Sequence, residues 1–331
     1  MANDDGFVRE LIRVLIVFAI LPAILLGAGA YLYFEAYAPR PYAGVKLQEN
    51  VVYVSARRFE EKGLQLLRQE ADGASFLDWT PVADALPVAE SVTILVHGYN
   101  AQDHKVATYF SDFIDTLREQ SGAKGTFIVF DWPAVGIPMD ELPTTQRMQM
   151  DVRMGLSNRN SQPAYELTMY GIDQRRAETV GAQSLLALLS SLANHQRRIT
   201  LVGHSMGCYL LQSAVMQSPG AFREVGAMYW LAADVDVDIL QNSNFRTAID
   251  GLGAGLFIHY SAHDAILTGP SRIANLSHRI GAVGSGSYQI DSAKLNFLNL
   301  TDALGTVNVH GGYLRRNSES ARIIAATLKQ P

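Results

Sequence analysis

Five short stretches of the chain are continuously apolar and rich in β-branched or aromatic residues. They are Ser91–Val96 (SVTILV), Thr126–Phe130 (TFIVF), Ile199–Val202 (ITLV), Ala227–Leu231 (AMYWL) and Leu256–Tyr260 (LFIHY). Runs of this length and type suit strands buried on both faces of a parallel sheet. Val51–Ser55 and Phe76–Thr80 are also strand-like. Between the runs the period lengthens. In Gln174–Asn194, Ala177, Val180, Leu185, Leu188, Leu189 and Leu192 fall near helical spacing, with Arg175, Arg176 and Glu178 at polar positions. Asp103–Glu119, Cys208–Gln217 and Ser318–Leu328 are the other predicted helices. Alternation of strand and helix predicts an α/β fold with a mostly parallel central sheet and helices on both faces.

Two segments fall outside this alternation. From Pro133 to Tyr170 neither period holds, and the stretch carries Met139, Met148, Met150, Met154 and Met169, five of the nine methionines. It is either a surface excursion filled by flexible side chains or a lid with an adaptable apolar underside. Val14–Phe34 is 21 residues without a charge, about 30 Å of helix and so long enough to cross a bilayer. It is expected to be a single-pass anchor, with a cleaved signal peptide as the alternative. The implied organisation is a tail (1–13), the anchor (14–34), a Pro-rich linker (35–49) and a folded domain (50–331) with an insertion at 133–170. Charges flanking the span tie, so the default orientation, N-terminus inside, puts the domain on the extracytoplasmic (periplasmic) side.

Composition narrows the function. Hydrophobic residues make up 48% and charged residues 18%, enough for a sizeable core and against disorder. Net charge is −5 with no basic cluster, which argues against nucleic acid as a partner. A single cysteine, Cys208, excludes an internal disulfide and a thiolate metal cage. No metal or cofactor motif is found, and oligomeric state is not legible.

Gly203-His204-Ser205-Met206-Gly207 follows the strand ITLV and precedes a helical pattern. Gly-x-Ser-x-Gly alone is weak, but strand-turn-helix is the context of a nucleophile elbow, where larger side chains two before and two after the serine would clash. His97-Gly98-Tyr99-Asn100 follows SVTILV, and an earlier strand ending in His-Gly supplies a second oxyanion amide in such folds. The expected donors are the backbone N–H groups of Tyr99 and Met206. Asn100 fits a turn-stabilising role.

A serine needs a base, and imidazole has the right basicity. With the chain order serine, acid, histidine, the candidates are His259, His263, His278 and His310. His259 and His263 lie in or just after an apolar strand. His310 follows the short apolar segment Thr306–Val309, expected to be a final strand, and is preferred over His278. Asp264, after LFIHY, is the preferred acid, with Asp236 and Asp234, after AMYWL, as alternatives. Cys208 reads as a small buried hydrophobe.

With these motifs the chain resembles the α/β-hydrolase superfamily, and within it a bacterial serine esterase/lipase family of largely uncharacterised function. The resemblance is carried by Val96–Asn100, Trp132-Pro133, Tyr170, Asp173, Ala177, Gly203–Gly207, Ala232–Asp236, Tyr260-Ser261 and Asp264, over about residues 50–329. It implies Ser205 as nucleophile, Asp264 as acid and His310 as base, with no cofactor. The stretch after Trp132-Pro133 is longer than the family pattern, and the proline usual before Asp234 is absent. The expected activity is hydrolysis of carboxylic esters, including lipid or other apolar acyl substrates. The alternatives are an amidase or acyltransferase using the same triad, or a non-catalytic anchored scaffold.

Overall fold

All five apolar runs form strands, and each strand splits its side chains between two cores. A computed structural model describes residues 42–43, 46–70, 73–79, 91–99, 101, 103–122, 125–134, 161–193 and 198–329. The tail, the Val14–Phe34 span, most of the linker, Asn100 and the part of the insertion holding Met139, Met148, Met150 and Met154 lie outside these residues. Among the described residues no helix is long and apolar enough to cross a membrane.

The strands are β1 (Tyr42–Ala43), β2 (Val51–Ser55), β3 (Gln65–Glu70), β4 (Gly73–Asp78), β5 (Ser91–Val96), β6 (Thr126–Asp131), β7 (Arg198–His204), β8 (Val225–Leu231), β9 (Gly255–Tyr260) and β10 (Leu295–Asn299). They form one sheet in the order β1-β4-β3-β2-β6-β5-β7-β8-β9-β10. From β2 to β10 all neighbours are parallel; β3, β4 and β1 extend one edge antiparallel.

The helices that matter below are α1 (Asp103–Tyr109), α2 (Ser111–Ser121), α3 (Ser161–Arg176), α4 (Ala182–Ala193), α5 (Met206–Gln217), α6 (Ala265–Thr268), α7 (Pro270–Asn275), α8 (Val309–Gly312) and α9 (Glu319–Leu328). Val92, Ile94, Ile128, Phe130, Met228 and Trp230 turn to one face, where α4 and α5 bring Leu185, Leu188, Leu210 and Leu211. Leu95, Phe127, Val129, Tyr229 and Leu231 turn to the other, against Phe113 and Leu117 of α2 and Ile324 of α9. Strands sandwiched in this way lose the polar alternate positions of a half-exposed strand, which is why they read as unbroken apolar runs.

Several boundaries differ from the expectation. Gln65–Glu70 is an additional strand, pairing antiparallel with Gly73–Asp78 as an edge hairpin. Thr306–Val309 is not a strand; the strand before His310 is β10, in which Leu295 alone is buried because the strand lies at the sheet edge. The single helix expected over Asp103–Glu119 is two, broken at the buried Phe110. The helix expected from Gln174 begins at Ser161, inside the stretch read as irregular, and runs through a π turn at Ala177–Gly181 into α4. Pro163 does not prevent it, because a first-turn residue has no intrahelical acceptor to lose.

Candidate active site

From β5 the chain crosses to β6 on one side and then returns past β5 to β7 on the other. Such a reversal opens a crevice at the carboxyl ends of the two strands flanking it. Ser205 directly follows β7 and His97 directly follows β5, so both motifs stand at this point.

Ser205 has φ +55° and ψ −124°, a left-handed conformation that costs a non-glycine residue on the order of 1–3 kcal/mol. Three backbone hydrogen bonds hold it: its N–H donates to Leu231 O (3.0 Å), and its carbonyl accepts from Cys208 N (3.0 Å) and Asp234 N (3.2 Å). The glycines around it are required by contact. A Cβ on Gly207 would lie 2.3 Å from the Val96 carbonyl oxygen, and one on Gly203 would lie 2.7 Å from Leu211 Cδ1. A Cβ on Gly98 would lie 2.9 Å from Ser205 Cβ, so the His97–Tyr99 loop runs against the serine.

His310 sits in the four-residue helix α8. Its Nε2 is 3.0 Å from Ser205 Oγ and its Nδ1 is 2.8 Å from Asp264 Oδ2. The Asp264 carboxylate is fully buried and its two oxygens are divided. Oδ1 caps α6, accepting from Ile266 N (3.1 Å) and Leu267 N (3.2 Å), while Oδ2 faces the imidazole. That division fixes the carboxylate plane, and through it the ring.

Met206 is the first residue of α5, so its amide is among those the helix leaves without an internal acceptor. In the facing loop the Gly98 amide is engaged, donating to Tyr109 Oη (3.1 Å); the Tyr99 amide follows it.

The alternative acids stand elsewhere. Asp236 caps a 3₁₀ turn, accepting from Asp238 N (2.9 Å). Asp234 is buried against Arg279 (2.8 Å), and Tyr170 Oη (2.7 Å) and Ser271 Oγ also donate to its carboxylate. Neither side chain hydrogen-bonds to His310, and each is committed to structure. His278 is exposed. His259 contacts Ser320 Oγ (3.0 Å) and His263 the Gly305 carbonyl (3.1 Å). Cys208 is buried with Sγ directed at Leu231 O, and burial pushes its thiol well up. Of the insertion's methionines Met169 is described, and it is buried in α3. Among the described residues no cluster of His, Cys, Asp or Glu could hold a metal ion.

A second group of residues is not signalled by the search for a base, whose candidates all follow Ser205. Behind the loop, Asp131 is fully buried between Arg57 (2.8 Å) and His97 Nε2 (3.5 Å), and Ser55 Oγ donates to it (3.0 Å). Burial alone would raise the Asp131 carboxyl, but Arg57 and then His97 outweigh it and hold it well below the usual carboxylate range. Arg57 also donates to the Ala101 carbonyl (2.7 Å) and Trp132 Nε1 to that of His97 (2.8 Å), so the loop is clamped at both ends. Nearer the serine, the His204 ring touches both Tyr109 Oη (2.8 Å) and the His310 carbonyl (2.8 Å). Proximity in sequence to the two glycine motifs was the available signal.

No curated protein matches the chain. Residues 81–326 match the family model described as Alpha/beta hydrolase of unknown function (DUF900), and the chain belongs to that family of α/β hydrolases.

Proposed function

We propose that the protein is a serine hydrolase that cleaves carboxylic esters through an acyl-enzyme. The observation that carries this is the His310 imidazole, bridging Ser205 Oγ at 3.0 Å and Asp264 Oδ2 at 2.8 Å. Ser205 Oγ attacks the carbonyl carbon as its proton passes to His310 Nε2. Asp264 holds Nδ1–H and stabilises the imidazolium. The Tyr99 and Met206 amides take the oxyanion. Collapse expels the alcohol, which recovers the proton from His310. Water then repeats the sequence on the acyl-enzyme and releases the acid.

The proposed substrates are lipid or other apolar acyl esters. Support comes from the apolar side chains exposed on the elements following Asp264, Ile266 at 46% and Ile273 at 65%, and from the Val14–Phe34 run, which would tether the enzyme to a membrane.

A fluorophosphonate probe on the full chain should label Ser205, and Ser205→Ala should abolish labelling. Labelling that survives the substitution overturns the nucleophile. An ester chain-length panel should favour long acyl groups. Labelling without ester turnover would favour an amidase or acyltransferase, and no labelling a non-catalytic fold.

A further inference from the structure

His204 lies between Gly203 and the nucleophile, is 3% exposed, and takes no part in the proton transfers above. In the neutral ring its contacts have one consistent polarity. The His310 carbonyl can only accept, so His204 Nε2 carries the ring proton and donates to it (2.8 Å). His204 Nδ1 is then an acceptor, and Tyr109 Oη donates to it (2.8 Å). Tyr109 Oη keeps its lone pairs for the Gly98 N–H (3.1 Å). The result is a single directed chain: Gly98 N–H to Tyr109, Tyr109 to His204, His204 to the backbone of His310. The Tyr109 and His204 rings also stand edge to face at 5.7 Å, and those of His204 and His310 are tilted against each other at 5.0 Å.

The two ends of this chain are the parts of the site least supported by regular structure. His310 sits in a four-residue helix entered through Asn308 at φ +47°, and one turn has little stability of its own. Gly98 belongs to an irregular loop between β5 and α1. Between them stands His204, fixed in β7 by the ladder to β8. Burial reinforces the neutral state, holding the His204 imidazole down at about 3 and raising the Tyr109 phenol. A second proton on His204 would occupy Nδ1 and reverse the Tyr109 link.

We infer that Tyr109 and His204 are positioning residues that lock the base-bearing turn and the oxyanion loop to the nucleophile strand as one unit. The inference rests on the reading of Ser205 and His310 as nucleophile and base. Its substance is that a neutral, Nε2-protonated His204 sets where the imidazole of His310 and the amide after Gly98 stand.

The test uses the full chain with p-nitrophenyl esters and a fluorophosphonate as probes. Tyr109→Phe keeps the ring and the packing but removes both links made by the phenol hydroxyl; His204→Leu removes both links made by the imidazole; His204→Gln retains one donor and one acceptor. Tyr109→Phe and His204→Leu should lower kcat and the fluorophosphonate rate about 10–100-fold with KM little changed, the cost expected of misplacing reacting groups. His204→Gln should recover much of the loss. Thermal melts run alongside identify variants that fail to fold. Independently of turnover, ¹⁵N shifts of histidine-labelled protein should show His204 as the Nε2–H tautomer from pH 5 to 8. Wild-type kcat in Tyr109→Phe and His204→Leu, or an Nδ1–H tautomer, overturns the inference. If the wild-type Ser205 is never labelled, the hydrolase reading fails instead, and the tautomer measurement still decides whether the chain exists.

Discussion

Ser205 is held in a backbone conformation that a glycine would adopt freely, and this makes its strain measurable. Ser205→Gly and Ser205→Ala both remove the hydroxyl. At φ +55° the alanine keeps the Cβ penalty and the glycine does not, so Ser205→Gly should be the more stable by about 1 kcal/mol in urea unfolding. Equal stabilities would mean the turn is not strained. The acid is tested at the same scale. Asp264→Asn should lower turnover by roughly 10³–10⁴, because an amide cannot hold the ring tautomer in the same way. Asp236→Asn, in a turn cap away from His310, should leave it nearly unchanged; the opposite ranking would reassign the acid. Much of this site was legible because its chemistry is local. A glycine pair flanks Ser205, and Asp264 follows a strand end. The preference for Asp264 was legible too, but what commits Asp234 elsewhere was not, since that is Arg279, 45 residues along the chain.

Among elements, the errors fall where burial is partial. β10 reads Leu-Asn-Phe-Leu-Asn; an edge strand needs cover only in part, and its asparagines masked it. β3 escaped for the same reason and β4 is legible only in part, as Phe76–Thr80, whereas the central strands, buried on both faces, are legible to within two residues at each end. α3 hid behind Pro163 and a nearby run of polar residues. Gly171 in that helix has nothing within 4 Å of where a Cβ would stand, so Gly171→Ala should raise stability by about 0.5–1 kcal/mol, seen as a higher melting temperature. Gly207→Ala is the counter-case. The Val96 carbonyl would be 2.3 Å from the new methyl, and the variant should lose labelling together with several degrees of melting temperature.

For the molecule as a whole, acid sensitivity follows from groups buried in one protonation state. Burial holds His204 down at about 3 and His259 down at about 4. In the unfolded chain both titrate near 6.5. Between those values the unfolded state binds more protons, so each histidine's contribution is complete above about pH 6.5 and falls by about 1.4 kcal/mol per pH unit below it. Asp131 acts lower. Its depressed carboxyl contributes above the unfolded value of about 3.9, and that contribution is lost as pH falls toward the folded one. Thermal melts should therefore decline from about pH 6.5, before carboxylates titrate, and His259→Gln should flatten the slope between pH 6.5 and 4. A wild-type melting temperature flat down to pH 5 would contradict this.

The hydrogen bond from Ser205 to His310 joins residues 105 apart, and that from His310 to Asp264 residues 46 apart. Neither can close until β7, β8, β9 and β10 have assembled side by side, and such distant pairings come late in folding. On the proposed function, Ser205 is therefore an ordinary alcohol in every partly folded form of the chain and should become reactive only when the last parallel strands are in place. Its reactivity is a completion signal. Loss of fluorophosphonate labelling in denaturant should coincide with, or precede, global unfolding, and a misfolded copy should be chemically silent rather than indiscriminately active.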